Sequence, residues 1–169
     1  IDIRRAPNDH RMLAMEDFCS VLDLPTSAKY DGTIERMARG LRPLSTDPVA
    51  DLETLFKRAL FAWLIADGDM HLKNLALLKT AEPRARQFTT VRFAPLYDAV
   101  TTRVFPNLAG DRMALKLNGK DDRLTRKDFI TLARTIDLPV TRAEALISET
   151  TAHLGEAAPR ARGKPADGV

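Results

Sequence analysis

The chain has 169 residues, 44% apolar and 29% charged, with 26 basic and 23 acidic side chains and a net charge of +3. That length supports one domain with a sizeable core, and the balance of residue types excludes a wholly disordered chain. The pI near 9.2 permits contact with nucleic acid or phosphate, but charges this mixed do not make polyanion binding the expected main function.

The most apolar stretch, Ala59 to Ala66, falls well short of the roughly 18 residues of a membrane-spanning helix. The first eleven residues, Ile1 to Arg11, are too charged for a signal peptide, and a chain opening on Ile1 is expected to be cut from something longer. A single Cys19 cannot form an internal disulfide. With Met15, Phe18 and Leu22 around it, it is expected to pack as a small hydrophobe on a helix, in a reducing, cytoplasmic setting.

In chain order, the turn signals predict helical segments first, a β-rich middle and a helical end, an α+β arrangement that is mainly α. A first helix is expected over about Met12 to Leu22, stopped by Pro25, and a second over Gly32 to Leu41, stopped by Pro43. The third has the clearest start, with Asp47 as N-cap and Pro48 at the first helical position. Val49, Leu52, Phe56, Ala59, Leu60, Trp63 and Leu64 then recur at helical spacing to about Ala66. Its end, Leu60 to Ile65, has no polar residue and is expected to be buried on nearly all sides.

Two β-like runs follow, Leu75 to Leu78 and Phe88 to Phe93, read as a hairpin, and a third strand is expected at Arg112 to Leu117, where Met113, Leu115 and Leu117 alternate. Thr125 with Asp128, and Thr141 with Glu144, resemble capping boxes for two final helices joined by Leu138 to Val140. The expected domain is 1–157, followed by a flexible tail, 158–169, rich in Arg, Gly and Pro.

Polar residues able to do chemistry concentrate between Asp67 and Asn74, between a buried helix and a buried strand. An acid-rich connection in that place either turns tightly at the surface or lines a cleft. A metal site from Asp67, Asp69 and His71 lacks further ligands. An EF-hand fails because its sixth and twelfth places, counted from Asp67, hold Leu72 and Leu78. Zinc lacks a second paired His or Cys, and the nucleophile-elbow pattern of hydrolases is absent.

The remaining pattern is Asp69 and Asn74 in the Asp-x-x-x-x-Asn spacing of kinase catalytic loops, with Asp98 after the hairpin as a second acid for Mg²⁺. An Asx-turn is the plain alternative for Asp98.

Phe61 to Ile65 leading into Asp69-Met70-His71-Leu72-Lys73-Asn74 resembles the catalytic loop of HipA-type serine/threonine kinases. Ala94 to Thr102 resembles the family's metal-binding segment, and Met15 to Cys19 with Leu24 to Tyr30 an earlier stretch, so the similarity spans about Arg4 to Leu138. The resemblance implies a protein-kinase-like carboxy-terminal lobe with a small β-hairpin carrying the metal segment. It implies Asp69 as catalytic base, Asn74 and Asp98 as Mg²⁺ ligands beside ATP, and His71 and Lys73 beside the transferring phosphate. For Lys73 a structural ion pair is an equal alternative, and Asp67 has no assigned role.

The family further implies bacterial toxins of toxin–antitoxin pairs, with a protein substrate such as an aminoacyl-tRNA synthetase and a DNA-binding antitoxin as partners. No Gly-rich phosphate loop or strand-borne Lys precedes Asp69. The nucleotide-clamping amino-terminal lobe is therefore expected to be supplied in cis or in trans, and the isolated chain to transfer phosphate poorly. The reading from another class is a non-catalytic interaction module that binds an antitoxin-like partner or nucleic acid.

Overall fold

The computed structural model describes residues 13–82 and 84–162. Its elements, in order, are β1 (Ala14–Asp17), α1 (Phe18–Val21), α2 (Ile34–Leu41), α3 (Pro48–Ile65), β2 (Ala76–Thr80), β3 (Thr90–Phe93), α4 (Arg126–Thr135) and α5 (Val140–Arg162). The three strands form one antiparallel sheet in the order β1-β2-β3, so the architecture is mixed, with helices dominant.

The expected helix over Met12 to Leu22 is replaced by a strand and a single helical turn, Met12 itself lying outside the described residues. Ala14 to Asp17 pairs with Lys79 to Ala76, and Glu16 forms an ion pair with Lys79. A four-residue run with apolar neighbours has no period of its own, and the unpaired edge of β2 decides its conformation. Asp17 then caps α1 by accepting from the Ser20 N–H at 3.1 Å, and Phe18 and Cys19 on that turn are buried.

Helix α2 starts two residues later than expected, behind Thr33, whose hydroxyl accepts from the Arg36 N–H at 3.1 Å. For α3 the Asp47–Pro48 start holds, with Asp47 accepting from the Ala50 N–H at 3.2 Å. Its far end is less enclosed than expected. Leu64 is 41% exposed and Phe61, Trp63 and Ile65 are half-buried, because α2, α5 and β3 pack around only part of its circumference.

The expected hairpin forms as β2 and β3, with Leu77 opposite Phe93 and Thr80 opposite Thr90. The expected strand at Arg112 to Leu117 does not. Met113, Leu115 and Leu117 are buried as their alternation requires, but the segment makes only isolated bridges, Thr33 to Lys116 and Leu117 to Lys120. Alternation places side chains against a core, whereas a strand also needs a partner backbone.

Helix α4 has its Thr125/Asp128 capping box. The Thr141/Glu144 box is not formed, since α5 begins at Val140 and Thr141 already lies in its first turn; Pro139 occupies the preceding place and its carbonyl accepts from the Ala143 N–H at 2.9 Å. Helix α5 runs to Arg162, into the segment expected as a tail, and 163–169 lie outside the described residues. One core joins all layers, and Phe56 of α3 meets Phe129 of α4 edge to face at 6.0 Å. Leu72 and Leu75, which flank Asn74, are buried in that core, so the loop between α3 and β2 is anchored from within.

Candidate active site

Helix α3 stops where Ala66 adopts a left-handed conformation (φ 55°) and the Asp67 N–H turns back to the Ala62 carbonyl at 2.8 Å. Asp67 is 3% exposed and accepts from the Asp69 N–H at 3.1 Å. Burial pushes its carboxyl above the usual range, against backbone hydrogen bonds from Asp69 and Val100 that pull it down.

Gly68 follows in a place with no room for a side chain. A Cβ there would lie 2.0 Å from Asp111 Oδ2 and 2.7 Å from Thr102 Oγ1. The Thr102 hydroxyl accepts from the Gly68 N–H and donates to the Ala66 carbonyl, both at 3.1 Å, fastening the loop to the segment after Asp98.

Asp69 presents its carboxylate at the surface, 44% exposed, with Oδ1 accepting from the Tyr30 hydroxyl at 2.8 Å. The chain then closes tightly: His71 N–H donates to the Asp69 carbonyl at 2.7 Å and Asn74 N–H to the His71 carbonyl at 2.9 Å. Asn74 Nδ2 also donates to the Asp69 carbonyl at 2.8 Å. That fixes the orientation of the amide and leaves its oxygen an acceptor without a donor among the described residues.

His71 is 6% exposed, with Nε2 3.9 Å from Asp69 Oδ1 and Nδ1 without a hydrogen-bond partner among the described residues. Lys73 turns away from this group. Its ammonium binds Asp17 at 2.6 Å, the structural ion pair foreseen as one of its two roles. Asp17 holds the amine well in its charged range, and the amine together with the Ser20 N–H holds the Asp17 carboxyl low, against its own burial.

The acid after the hairpin is placed by β3. Arg58 of α3 donates to the Ala94 carbonyl at 2.8 Å and lies 5.4 Å from the Phe93 ring centroid. Burial lowers its guanidinium to about 10. The Tyr97 hydroxyl donates to the Lys73 carbonyl at 3.0 Å, and burial pushes that phenol far up. Asp98 itself is exposed and left-handed (φ 53°).

Asn74, Asp98, Asp67, Met70 and Tyr97 line one small concavity of about 10 Å³. The sequence-predicted residues Asp69, His71, Asn74 and Asp98 therefore gather around one loop, and Lys73 alone points elsewhere. The alternative metal cluster of Asp67, Asp69 and His71 is not assembled, since among the described residues no three His, Cys, Asp or Glu come together to hold an ion.

The donor set fits Mg²⁺ shared with phosphate, which takes one or two protein oxygens and keeps water for the rest. An amide oxygen with its nitrogen already engaged, beside an exposed carboxylate, supplies those two. Sequence reasoning missed Tyr30, Thr102 and the structural part of Asp67. Tyr30, Thr102 and Asp67 all sit in segments already singled out, but the partners that give Tyr30 and Thr102 their roles lie 39 and 34 residues away in sequence.

Residues 2–158 match the family model described as the HipA-like C-terminal domain. The chain belongs to that family. This HipA-like domain is 31% identical over 123 residues to a Sinorhizobium fredii (strain NBRC 101917 / NGR234) protein named "Putative kinase Y4mE", covering 70% of this chain and 27% of that protein. A second protein of the same strain, "Putative kinase Y4dM", is 34% identical over 139 residues, covering 80% of this chain and 31% of its own length. The chain thus spans less than a third of the curated relatives it matches.

The HipA-like fold also superposes on a chain of the Shewanella oneidensis MR-1 toxin–antitoxin complex of HipA, HipB and operator DNA, with a TM-score of 0.76 and 18% identity over 97% of this chain and 41% of that one. At that identity the likeness speaks to the fold alone. The family is HipA-like and both curated relatives are named as putative kinases, and no described helix is long and apolar enough to cross a membrane.

Proposed function

We propose that this domain is the carboxy-terminal catalytic lobe of a serine/threonine protein kinase, a protein-kinase-like lobe whose sheet delivers the metal-binding segment. The observation that carries this reading is the hydrogen bond from Asn74 Nδ2 to the Asp69 carbonyl at 2.8 Å. It closes a general base and a metal-ligand oxygen into one rigid loop on the concavity that Asp98 also lines.

Asp69 accepts the proton of a Ser or Thr hydroxyl as that oxygen bonds to the γ-phosphorus of ATP; the bond to the bridging oxygen breaks and ADP leaves. Asn74 Oδ1 and Asp98 hold Mg²⁺, which when bound neutralises charge on the phosphates. His71 packs beside the base, and Lys73, engaged with Asp17, braces the loop. The domain comprises 1–157, with 158–169 an appendage to it.

A nucleotide-clamping amino-terminal lobe, in cis or in trans, completes the ATP site, and the domain alone transfers phosphate poorly. Its setting is the bacterial cytoplasm, where ATP is available. A protein hydroxyl, such as one on an aminoacyl-tRNA synthetase, is the acceptor, and a DNA-binding antitoxin is the partner. The neighbouring HipA–HipB–DNA complex also favours a second reading, in which the domain serves as a non-catalytic module for such a partner or for nucleic acid.

Transfer of labelled phosphate from Mg²⁺-ATP by the complete protein decides between the two. Asp69→Asn lowers the rate by about 100-fold or more, and Asp98→Asn abolishes Mg²⁺-dependent transfer. Activity unchanged in Asp69→Asn refutes the catalytic reading and leaves the module.

A further inference from the structure

The contact between Tyr30 and Asp69 joins residues 39 apart in sequence, and four features hold the phenol in place. The carbonyl of Lys29, just before it, accepts from the Leu72 N–H of the catalytic loop at 3.0 Å, and the Asp31 N–H, just after it, donates to the Ala28 carbonyl at 2.9 Å. The ring meets His71 edge-on at 5.2 Å and 74°. On another side the Lys29 ammonium lies 4.9 Å from the ring centroid.

A hydroxyl bonded to one carboxylate oxygen makes the two oxygens inequivalent. Oδ1 accepts from Tyr30, and His71 Nε2, at 3.9 Å from the same atom, is too far to compete for it. Among the described residues no hydrogen bond reaches Oδ2. Asp69 borders an open groove of about 570 Å³, walled by Tyr30, Gly68, Val100, Phe105 and Leu108, and this is the open space beside the base. A carboxylate left to itself turns broadly about its terminal torsion; one pinned through a single oxygen does not.

We propose that Tyr30 is a positioning residue for phosphoryl transfer: by engaging Oδ1 of Asp69 it assigns proton acceptance to Oδ2 and holds that oxygen toward the groove where the acceptor hydroxyl arrives. This deepens the proposed function and rests on it. The substrate proton moves to Oδ2 as the oxygen–phosphorus bond forms and later leaves to solvent, while Tyr30 keeps its own proton throughout. Burial and the Asp69 carboxylate both push the phenol above its usual range, in the direction that keeps the hydroxyl a donor.

Because misplacement of a reacting group by a fraction of an ångström slows the step without altering ground-state binding, the consequence falls on kcat. The test uses the complete protein with wild type, Asp69→Asn, Tyr30→Phe and Tyr30→Leu side by side, reading kcat and KM for Mg²⁺-ATP and for the protein acceptor. Tyr30→Phe keeps the ring against His71 and Lys29 and deletes the hydroxyl alone. It lowers kcat by about tenfold or more with both KM values within twofold of wild type, and Tyr30→Leu is no better.

A kcat for Tyr30→Phe within twofold of wild type overturns the inference, since ring packing would then suffice. A higher acceptor KM with unchanged kcat also overturns it, reducing Tyr30 to a wall of the groove. Absence of Asp69-dependent transfer in the wild type overturns the catalytic reading itself, and this inference with it.

Discussion

Asp51, one turn into α3, is 2% exposed, and its carboxylate ties the helix to β3, the strand that leads to Asp98. Oδ2 accepts from the Ser45 hydroxyl at 2.6 Å and from the Phe93 N–H at 3.0 Å, and Oδ1 accepts from Arg92 Nε at 3.1 Å. Replacing it with Ala strands the buried Phe93 N–H, which costs about 1–3 kcal/mol, and removes the Ser45 bond, worth about 1 kcal/mol. The Arg92 contact adds little, because that side chain is 41% exposed and pairs of that kind contribute about 0–1 kcal/mol.

The sum is about 3 kcal/mol, a large part of the roughly 5–15 kcal/mol that keeps a domain folded. Urea unfolding of the chain, followed by circular dichroism, measures it. With a slope of about 2 kcal/mol per molar, the midpoint falls by about 1.5 M in Asp51→Ala, whereas Arg92→Met moves it by less than about 0.5 M. A loss below about 0.5 kcal/mol in Asp51→Ala, or an Arg92→Met loss of equal size, refutes the assignment of the stability to the buried Phe93 N–H.

Other substitutions separate structure from chemistry. The Lys120 ammonium at 2.7 Å, and then Thr125, hold the Asp128 carboxyl down to about 2. A carboxyl lower in the folded state than its ordinary value of 3.8 stabilises above that value and loses the stabilisation as pH falls through about 2. Because Lys120 is 53% exposed, the contribution is about 1–2 kcal/mol rather than the full shift. Asp128→Asn flattens that part of the acid unfolding curve, and an unchanged curve shows that the bond carries no weight.

Gly68→Ala places a methyl group against Thr102 Oγ1 and Asp111. It costs about 1–3 kcal/mol and lowers transfer by about 100-fold through displacement of Asp69. Gly110→Ala, which meets nothing within 4 Å, leaves both unchanged, and a Gly68→Ala enzyme of normal rate would contradict the close approach.

Features carried by local chemistry were legible in the sequence. Asp47–Pro48 announces α3 because a capping acid and a proline each act within one turn, and Thr125 announces α4 for the same reason. The Asp69-to-Asn74 spacing found the loop because both residues sit in it, closed by one hydrogen bond.

Features that depend on a distant partner were not. Ala14 to Asp17 becomes a strand only because β2 offers an edge, and Arg112 to Leu117, with better alternation, finds none. Lys73 has two chemically reasonable fates in its own loop, and the choice lies 56 residues away at Asp17. Tyr30 likewise carries no local mark of its bond to Asp69.

Asp17 ends β1, caps α1 and grips Lys73, while the next N–H, that of Phe18, donates to the carbonyl of Leu75. Traction on β1 therefore has no slack to take up before it reaches the residues on either side of Asn74. The curated relatives carry more than two thirds of their length outside the matched region. Within this domain, β1 is tied by one ion pair and one backbone hydrogen bond to the residues on either side of Asn74.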